Sequence, residues 1–460
     1  MTNINKENKI NSLDLLSPNR LDVVFKYAYL KYKKSMPEFA RRIYKEHIYA
    51  ITNGTYKEGK TSKDSILKFI SAFDDIFNSI KKNNFNSKIS KIPITINNTI
   101  SNGAHRLASS IFLKKDVYTL LVDDNDSSYD YNFFIQRGVD IEILEFIILE
   151  YLLLKKDIYI ALIWPSANKK IEYKSSFNNI IYQKSFKLNP KGAHNFLAQI
   201  YKEQNWIGSF DNGYGGTYLK LNQAFKNFSP IKAIFFHESS IENVNKIKKQ
   251  LRDKFQIGKA SIHITDNKDE TVEIAKYILN KNSLHFLNNS KPYKYKHTYN
   301  NLEEFKNELK NNNINLSNIL IDGGTALAIY GIRASNDLDY LINNNFEYKS
   351  SADNHINQIK YHKQTLNNLI YNPKFYFYFN DFKFISLKQL KQMKKNRASS
   401  KDLLDIKLIN SGNNFQLNLF KNLNQLYMIR FKIVALLIPI TKKIGLYNFS
   451  KYIYKKIFKA

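Results

Sequence analysis

The chain has 460 residues, with 70 Lys and Arg against 40 Asp and Glu, so its formal net charge is +30. Hydrophobic residues make up 43% and aromatic residues 14%, enough to bury the cores of about three domains, which excludes wholesale disorder. The absence of cysteine excludes disulfide scaffolds, zinc ribbons, iron–sulfur clusters and thiol nucleophiles.

The positive charge comes mainly from single lysines set between Asn, Ile and Tyr. Such a surface attracts polyanions without sequence specificity. Lysine greatly outnumbers arginine and no arginine-rich recognition helix is evident, so we do not expect dedicated nucleic-acid binding. The sequence has no apolar run of about 20 residues, and Met1–Lys9 is too polar for a secretory signal. We therefore expect a cytoplasmic protein.

The first third of the chain predicts a disordered leader at 1–15 and a mixed domain at 16–157. Apolar spacing favours helices, and short apolar runs favour strands. The predicted elements are helices at 21–49, 65–80, 105–113 and around 142–150, and strands at 92–96 and 117–122.

The middle third, 158–290, alternates strand-like and helical segments, which predicts an α/β layer. An Asn-, Lys- and Tyr-rich stretch at 288–300 is the best linker candidate. The predicted elements are strands at 158–164, 234–236 and 261–264 and helices at 241–255 and 271–279, the last with an N-terminal cap at Thr265-Asp266.

The most specific motif follows a short apolar strand at Ile319–Ile321. Gly323-Gly324 permits a tight turn and a close approach of the backbone to a ligand. Thr325 opens a helix through Tyr330, whose first amides would face a phosphate at the turn.

Two acidic residues come next. Asp337 and Asp339 are separated by one apolar residue, and a strand places residues i and i+2 on the same face. Two adjacent carboxylates repel unless a cation lies between them, which is the arrangement that holds a divalent metal against nucleotide phosphates.

This pattern resembles the nucleotidyltransferase superfamily in its minimal form, over about residues 300–410. The resemblance implies that Asp337 and Asp339 bind Mg²⁺ and that ATP or CTP is the nucleotide. It assigns the triphosphate and neighbouring phosphate contacts to Gly323, Gly324, Thr325, Arg333, Ser335 and Lys401.

The family also has a third carboxylate, the usual base for the attacking hydroxyl. Residues 375–379 and 383–387 predict a hairpin around Asn380-Asp381, followed by a helix at 387–395. Asp381 is the acidic residue nearest a plausible strand, so we assign it as the third catalytic carboxylate with Asp337 and Asp339.

A second motif lies near the N-terminus, where a strand and a turn lead into Asn102-Gly103 at the start of a helix. Gly103 lets the backbone curl around an anion, and His105 and Arg106 add charge. This resembles the Gly-x-His-Arg box of the ParB and sulfiredoxin superfamily over about residues 85–125. The resemblance implies a phosphate site, although Asn102 stands where family members usually carry Asp.

The last segment, 411–460, predicts a basic amphipathic helical tail. From Ile429 to Lys459 apolar residues alternate with lysines, so the tail either lies on an anionic membrane surface or packs on the body with its lysines outward.

These observations predict an α+β or α/β multidomain chain with a ParB/sulfiredoxin-like module, an α/β middle domain and a nucleotidyltransferase-like α/β domain with a helical tail. Similar fusions resemble proteins of bacterial surface (capsular) polysaccharide synthesis. We therefore expect a Mg²⁺-dependent transferase that moves a nucleotidyl or phosphoryl group to a small metabolite or sugar phosphate, peripheral on the inner face of the membrane. The alternatives are an ATP-dependent small-molecule kinase using the N-terminal box, a toxin-like RNA nucleotidyltransferase and a non-catalytic scaffold.

Overall fold

The computed structural model describes residues 8–59, 61–167, 171–343, 350, 352–410 and, between 440 and 449, every residue except 442 and 447. This part of the chain is mixed α/β and contains sheets of three, four and five strands. The coarse fold class predicted from the sequence is therefore confirmed. Among the described residues, none of the helices has the length and apolarity that a membrane crossing requires.

The N-terminal region packs helices around a small sheet. Its elements are β1 (Asn8–Ile10), α1 (Leu21–Tyr32), α2 (Pro37–Ile51), α3 (Ile66–Asn83), β2 (Ile92–Ile94), α4 (Ala104–Leu113), β3 (Val117–Leu121), α5 (Tyr131–Gln136) and α6 (Ile141–Leu154). Strand β3 lies between β1, which is antiparallel to it, and β2, which is parallel. Helix α3 begins where the Ser65 side chain accepts a hydrogen bond from the amide of Lys68.

The prediction of a disordered leader at 1–15 is wrong for residues 8–15, and residues 1–7 lie outside the described part of the chain. Ile10 pairs with Val117 in the sheet, and Ser12–Leu15 forms a turn of 3₁₀ helix. Leu15 is buried in the core. The order comes from pairing with a strand more than 100 residues away, which the polar local composition does not reveal.

The middle region builds an antiparallel sheet with helices. Its elements are β4 (Ile158–Ile163), β5 (Ile180–Phe186), α7 (Pro190–Ile200), α8 (Thr217–Ala224), β6 (Ile231–His237), α9 (Ile241–Phe255), β7 (Ile262–Ile264), α10 (Lys268–Ile278) and α11 (Lys281–Asn289). The strand order is β5-β6-β4-β7, and each neighbouring pair is antiparallel. Helix α9 has the bounds predicted from its sequence.

Strand β4 is buried on both faces, as its apolar run predicts. Its even-numbered residues join the core formed with the N-terminal helices, and its odd-numbered residues face a second core that α9 closes. The predicted domains 16–157 and 158–290 therefore meet on one continuous hydrophobic core.

The C-terminal region contains the five-stranded sheet. Its elements are α12 (Lys296–Asn311), β8 (Ile319–Asp322), α13 (Gly323–Ile329), β9 (Asp339–Ile342), β10 (Asp353–Asn354), α14 (Ile359–His362), α15 (Leu366–Tyr371), β11 (Tyr376–Phe379), β12 (Phe382–Ile385), α16 (Leu387–Arg397) and a helix at 400–410. The strand order is β10-β9-β8-β12-β11. Strand β8 is antiparallel to β9 and parallel to β12, and β10 is parallel to β9.

The candidate linker at 288–300 is short and packed. Helix α11 runs to Asn289 and α12 starts at Lys296, so residues 290–295 alone connect them. Between them the ring of Tyr293 contacts Tyr214 and Phe379. Tyr293 thus packs this connection against the rest of the protein.

Candidate functional site

Three aspartates lie side by side at one edge of the C-terminal sheet. In the strand pairing, Asp322 at the end of β8 lies opposite Asp339 at the start of β9, and Asp339 lies beside Asp353 at the start of β10. Asp337 precedes β9 by two residues. The topology therefore gathers carboxylates from three neighbouring strands at the point where the chain turns into α13.

The Gly-Gly turn makes room for one of these carboxylates. Gly323 has φ +61°, in the left-handed region, and a Cβ at this position would overlap the carboxylate of Asp339. The amide of Gly324 donates a hydrogen bond of 3.2 Å to Oδ2 of Asp339. The two glycines thus allow a close approach, as the sequence predicts, but the group that approaches is the protein's own Asp339.

Two hydroxyls fix the segment that carries Asp337. Thr325 donates to the carbonyl oxygen of Asp337 at 3.0 Å, and the hydroxyl of Ser335 lies 2.9 Å from Oδ1 of the same residue. Partial burial alone would raise the pKa of Asp337, but the Ser335 hydrogen bond and the backbone hold it below its usual value. In this structure Thr325 and Ser335, for which the resemblance implies phosphate contacts, position Asp337.

Asp337, Asp339 and Asp353 form a group that fits a divalent cation. Each offers one carboxylate oxygen, and the three oxygens lie within 4.8 Å of one another. Asp339 is buried, while Asp337 and Asp353 are exposed. Converging carboxylate oxygens are the donor set that Mg²⁺ prefers. Sequence reasoning missed Asp353, although Asp353-Asn354-His355 repeats the spacing of Asp337-Leu338-Asp339.

Asp322, His355 and His362 lie next to this acidic group and are linked to it by hydrogen bonds. The Nε2 of His355 lies 3.0 Å from Oδ1 of Asp339, and its Nδ1 lies 3.4 Å from Oδ2 of Asp322. Asp322 is fully buried and also contacts Nε2 of His362 at 3.1 Å. Burial alone would lower the pKa of His355, but its hydrogen bonds to Asp322 and Asp339 raise it to about 9. Sequence reasoning identified neither histidine.

A wall of cations faces the carboxylates. Arg333 binds Asp405 through two nitrogens, at 2.5 and 2.9 Å, and Arg397 binds Asp402 through two nitrogens at 2.8 Å. The buried Lys394 contacts both of these aspartates, at 2.8 and 3.2 Å. Because Asp402 and Asp405 are almost fully buried, they hold the three cations in fixed positions before any ligand arrives.

Lys401 extends the wall and is exposed. Within the described residues it forms no ion pair, so its ammonium group is available to a ligand. The cation wall therefore has four positively charged side chains, Arg333, Lys394, Arg397 and Lys401, and two negatively charged ones, Asp402 and Asp405. Its net charge is +2. The cleft between wall and carboxylates has a volume of about 180 Å³ and is lined by Gly323, Gly324, Arg333, Asp337, Asp339, His355, Lys394, Arg397 and Lys401.

Asp381, assigned from the sequence as the third carboxylate, lies elsewhere. It sits in the turn between β11 and β12, and the parallel pairing of β12 with β8 places it beside the first residues of β8. Asp322 and the acidic group lie at the other end of β8. Asp381 instead accepts ion pairs from Lys202 at 2.6 Å and Lys306 at 2.5 Å. Against the effect of burial, these lysines lower its pKa to about 2.

The N-terminal box has the predicted backbone but uses its side chains internally. Gly103 has φ +93° and immediately precedes α4, and its amide donates to the side chain of Asn102. His105 bonds the hydroxyl of Tyr44 at 2.8 Å, and burial holds its pKa well below the usual value. Arg106 donates to the Ser90 hydroxyl and to a backbone carbonyl at 2.8 Å. These contacts give both side chains structural roles in the described protein.

The predicted tail, 411–460, lies almost entirely outside the described residues, so the structure does not bear on the membrane contact predicted for it.

A comparison of the chain with known protein families, curated proteins and solved structures finds no match in any of the three.

Proposed function

We propose that the C-terminal region is a Mg²⁺-dependent transferase that moves a nucleotidyl or phosphoryl group from ATP or CTP to a small metabolite or sugar phosphate. The observation that carries this proposal is the opposition of charges across one cleft. Asp337 and Asp339 line it, and their carboxylate oxygens lie within 4.8 Å of that of Asp353. Four cations, Arg333, Lys394, Arg397 and Lys401, line the same cleft.

The two sides suit the two charged parts of a metal–nucleotide complex. The carboxylates attract a dication, and the cation wall attracts phosphates. The cleft's volume of about 180 Å³ is below the ~300–1,000 Å³ of a typical small-molecule site. It therefore suits the phosphates and the ion, with the nucleoside extending beyond it.

The residues take distinct roles in this proposal. Asp337 and Asp339 hold Mg²⁺, and Asp353 takes the place of Asp381 as the third carboxylate, which accepts a proton from the acceptor hydroxyl. Lys401 and Arg333 hold phosphate oxygens. Bound Mg²⁺ would neutralise phosphate charge and orient the phosphates for in-line attack.

The acceptor class, the link to surface polysaccharide synthesis and the position at the inner face of the membrane are proposed from the resemblance. The N-terminal box is the weaker candidate for catalysis, because His105 and Arg106 are engaged in internal contacts. It is retained as a phosphate site that a direct test can separate from the C-terminal one.

The test incubates full-length protein and Mg²⁺ with each labelled nucleotide and a panel of sugar phosphates. Release of pyrophosphate identifies nucleotidyl transfer, and release of nucleoside diphosphate identifies phosphoryl transfer. The expected turnover disappears in Asp353→Asn and persists in Asp381→Asn. Turnover that survives Asp353→Asn but disappears in Arg106→Ala would favour the N-terminal kinase. Labelling of RNA ends alone would favour the toxin-like alternative, and no turnover with any nucleotide would favour a scaffold.

A further inference from the structure

Four aromatic rings form a continuous row in the middle region. The ring centres of Trp164 and His263 lie 6.5 Å apart. Those of His263 and Tyr201 lie 5.5 Å apart, and those of Tyr201 and Trp206 lie 5.2 Å apart. Trp164, at one end of the row, is 1% exposed, whereas Trp206, at the other end, is 46% exposed. The row therefore ends in an indole that a ligand can reach.

Hydrogen bonds and a close backbone contact fix this row. Nε2 of His263 lies 2.9 Å from the carboxylate of Glu270, which only accepts when ionised, so Nδ1 accepts the hydrogen of the Tyr201 hydroxyl at 3.2 Å. Gly216 immediately precedes α8, and a Cβ at this position would lie 2.0 Å from the carbonyl oxygen of Trp206. His263 spends both of its ring nitrogens within the protein, so its role is to position the rings.

Three cations gather beside the row. Lys220 on α8 holds its ammonium group 5.6 Å from the ring centre of Trp164 and donates to the backbone carbonyl of Lys259. Burial and the positive charges of Arg252 and Lys259 lower the pKa of Lys220 to about 8. Burial raises the pKa of Tyr201, and the charge of Arg252, in the last turn of α9, opposes that shift. In the described ranges of the chain, none of the three cations forms an ion pair.

Two buried donors in the same place lack an acceptor. Nε of Arg252 and Nε1 of Trp164 are buried, and neither has a hydrogen-bond partner in the part of the protein that the structure describes. Arg333 and Arg397, by contrast, each bind an aspartate through two nitrogens. An anion with several oxygens would satisfy such donors and offset the repulsion among the cations. A phosphate group has this chemistry.

We propose that these residues form a second ligand site, the Trp206 site (Trp164, Tyr201, Trp206, Lys220 and Arg252), which binds a phosphate monoester of a sugar or nucleoside. Arg252 and Lys220 hold the phosphate, and the ring of the ligand stacks on Trp206. Lys220 lies about one turn of α8 beyond Gly216, which packs against the backbone of Trp206, so one small molecule can contact both. The site needs no metal and goes beyond the proposed transferase.

The test uses intrinsic fluorescence, because the two tryptophans of the chain both belong to the Trp206 site. Full-length protein in EDTA is titrated with glucose 6-phosphate and AMP, and with glucose and adenosine as their unphosphorylated counterparts. EDTA removes divalent ions, so the result does not depend on the metal site of the C-terminal region. The variant is Arg252→Gln. Its matched control is Arg41→Gln, which makes the same change at an exposed arginine of α2.

We expect a saturable fluorescence change with at least one phosphate ester and none with its unphosphorylated counterpart. The ester that binds more tightly identifies the ring as a sugar or a nucleoside. Arg252→Gln should weaken binding about tenfold or more, as loss of a charged hydrogen bond does, and Arg41→Gln should leave it unchanged.

No saturable change with either ester in wild type would overturn the inference, and so would equal affinity in wild type and Arg252→Gln. Equal responses to an ester and its unphosphorylated counterpart would overturn the phosphate contact. Each of these results leaves the proposed transferase standing, because that function is assayed by turnover with Mg²⁺. The wild-type titration decides the question even if Arg252→Gln does not fold.

Discussion

Asp402 is the residue whose replacement tests most sharply how the cation wall is held. Its carboxylate is 0% exposed and accepts two hydrogen bonds from Arg397, both at 2.8 Å. It also accepts one from the buried Lys394 at 3.2 Å and two from Ser399, at 2.6 and 3.2 Å. Asp402→Asn keeps the size of the side chain and removes its charge.

The expected loss of stability depends on the contacts that Lys394 and Arg397 keep when Asp402 loses its charge. Breaking a buried ion pair by removing one partner costs ~3–5 kcal/mol. Lys394 keeps its contact with Asp405 at 2.8 Å, and Arg397 keeps Gln358 at 3.3 Å. We therefore expect a value near the lower end of that range, about 3 kcal/mol.

Hydrogen–deuterium exchange in peptides of α16 is the suitable assay. Both tryptophans lie in the middle region, at 164 and 206, so fluorescence does not report on this helix. A loss of about 3 kcal/mol speeds exchange by about two orders of magnitude in amides that exchange through opening of this unit. The matched control is Asp266→Asn, which removes an aspartate from an ion pair with Lys248 and has a side chain that is 63% exposed.

The control should lose no more than about 1 kcal/mol, as exposed pairs do. Equal exchange of α16 in the two variants would refute the reasoning that the buried aspartates hold the wall.

The pH dependence provides an independent check on the same residue. Burial alone would raise the pKa of Asp402, but hydrogen bonds from Arg397, Ser399 and Lys394 hold it well below its usual value. A carboxyl whose pKa is depressed by folding stabilises the protein above its unfolded pKa of about 3.9 and loses that contribution as pH falls toward the folded pKa. The difference in free energy of unfolding between wild type and Asp402→Asn should therefore be largest at neutral pH and become smaller below about pH 4. A constant difference across this range would contradict the assigned charge.

The remaining predictions concern the acidic group and its neighbours. Gly323→Ala should abolish divalent-metal binding measured by calorimetry, because the added Cβ overlaps the Asp339 carboxylate. Asp381→Asn should preserve turnover and lower the thermal midpoint, because it leaves Lys202 and Lys306 without their shared partner. Lys401→Ala should weaken nucleotide binding by about 1.5–3 kcal/mol and leave the thermal midpoint unchanged, because the exposed side chain makes no ion pair among the described residues.

Two matched variants control for general effects. Gly258→Ala introduces the same side chain at φ +53° with no atom within 4 Å, so it carries the backbone strain without the overlap and should leave metal binding intact. Lys388→Ala removes an exposed lysine of α16 that does not line the cleft, so it should leave nucleotide affinity unchanged. Equal effects within either pair, Gly323 with Gly258 or Lys401 with Lys388, would contradict the specific roles given to the cleft residues.

Local patterns in the sequence predicted local structure well. Helix α9 has its predicted bounds, and the hairpin around Asn380-Asp381 is present. The order of strand, Gly-Gly turn, helix and acidic pair is likewise confirmed between Ile319 and Asp339. These features depend on periodicity and turn chemistry within about 20 residues, which a single sequence displays.

The third carboxylate depends on strand pairing that no local pattern shows. Asp353 reaches the acidic group because β10 joins β9 in parallel register, whereas Asp381, closer to an evident strand, lies at the opposite end of β8. The same limitation applies to His105, whose charge suggested a phosphate contact but whose ring packs against Tyr44 and Phe73. Which neighbour a polar side chain meets is set by the tertiary arrangement.

The central claim is that Asp337 and Asp339 hold a metal ion that carries a nucleotide. Isothermal titration of ATP and CTP into full-length protein, with and without Mg²⁺, tests it most directly when wild type is compared with the double variant Asp337→Asn/Asp339→Asn. We predict saturable binding of at least one nucleotide to wild type only when Mg²⁺ is present, and none to the double variant, whose circular dichroism should match wild type. Equal nucleotide affinity in the two proteins, or wild-type binding that is indifferent to Mg²⁺, would contradict the claim.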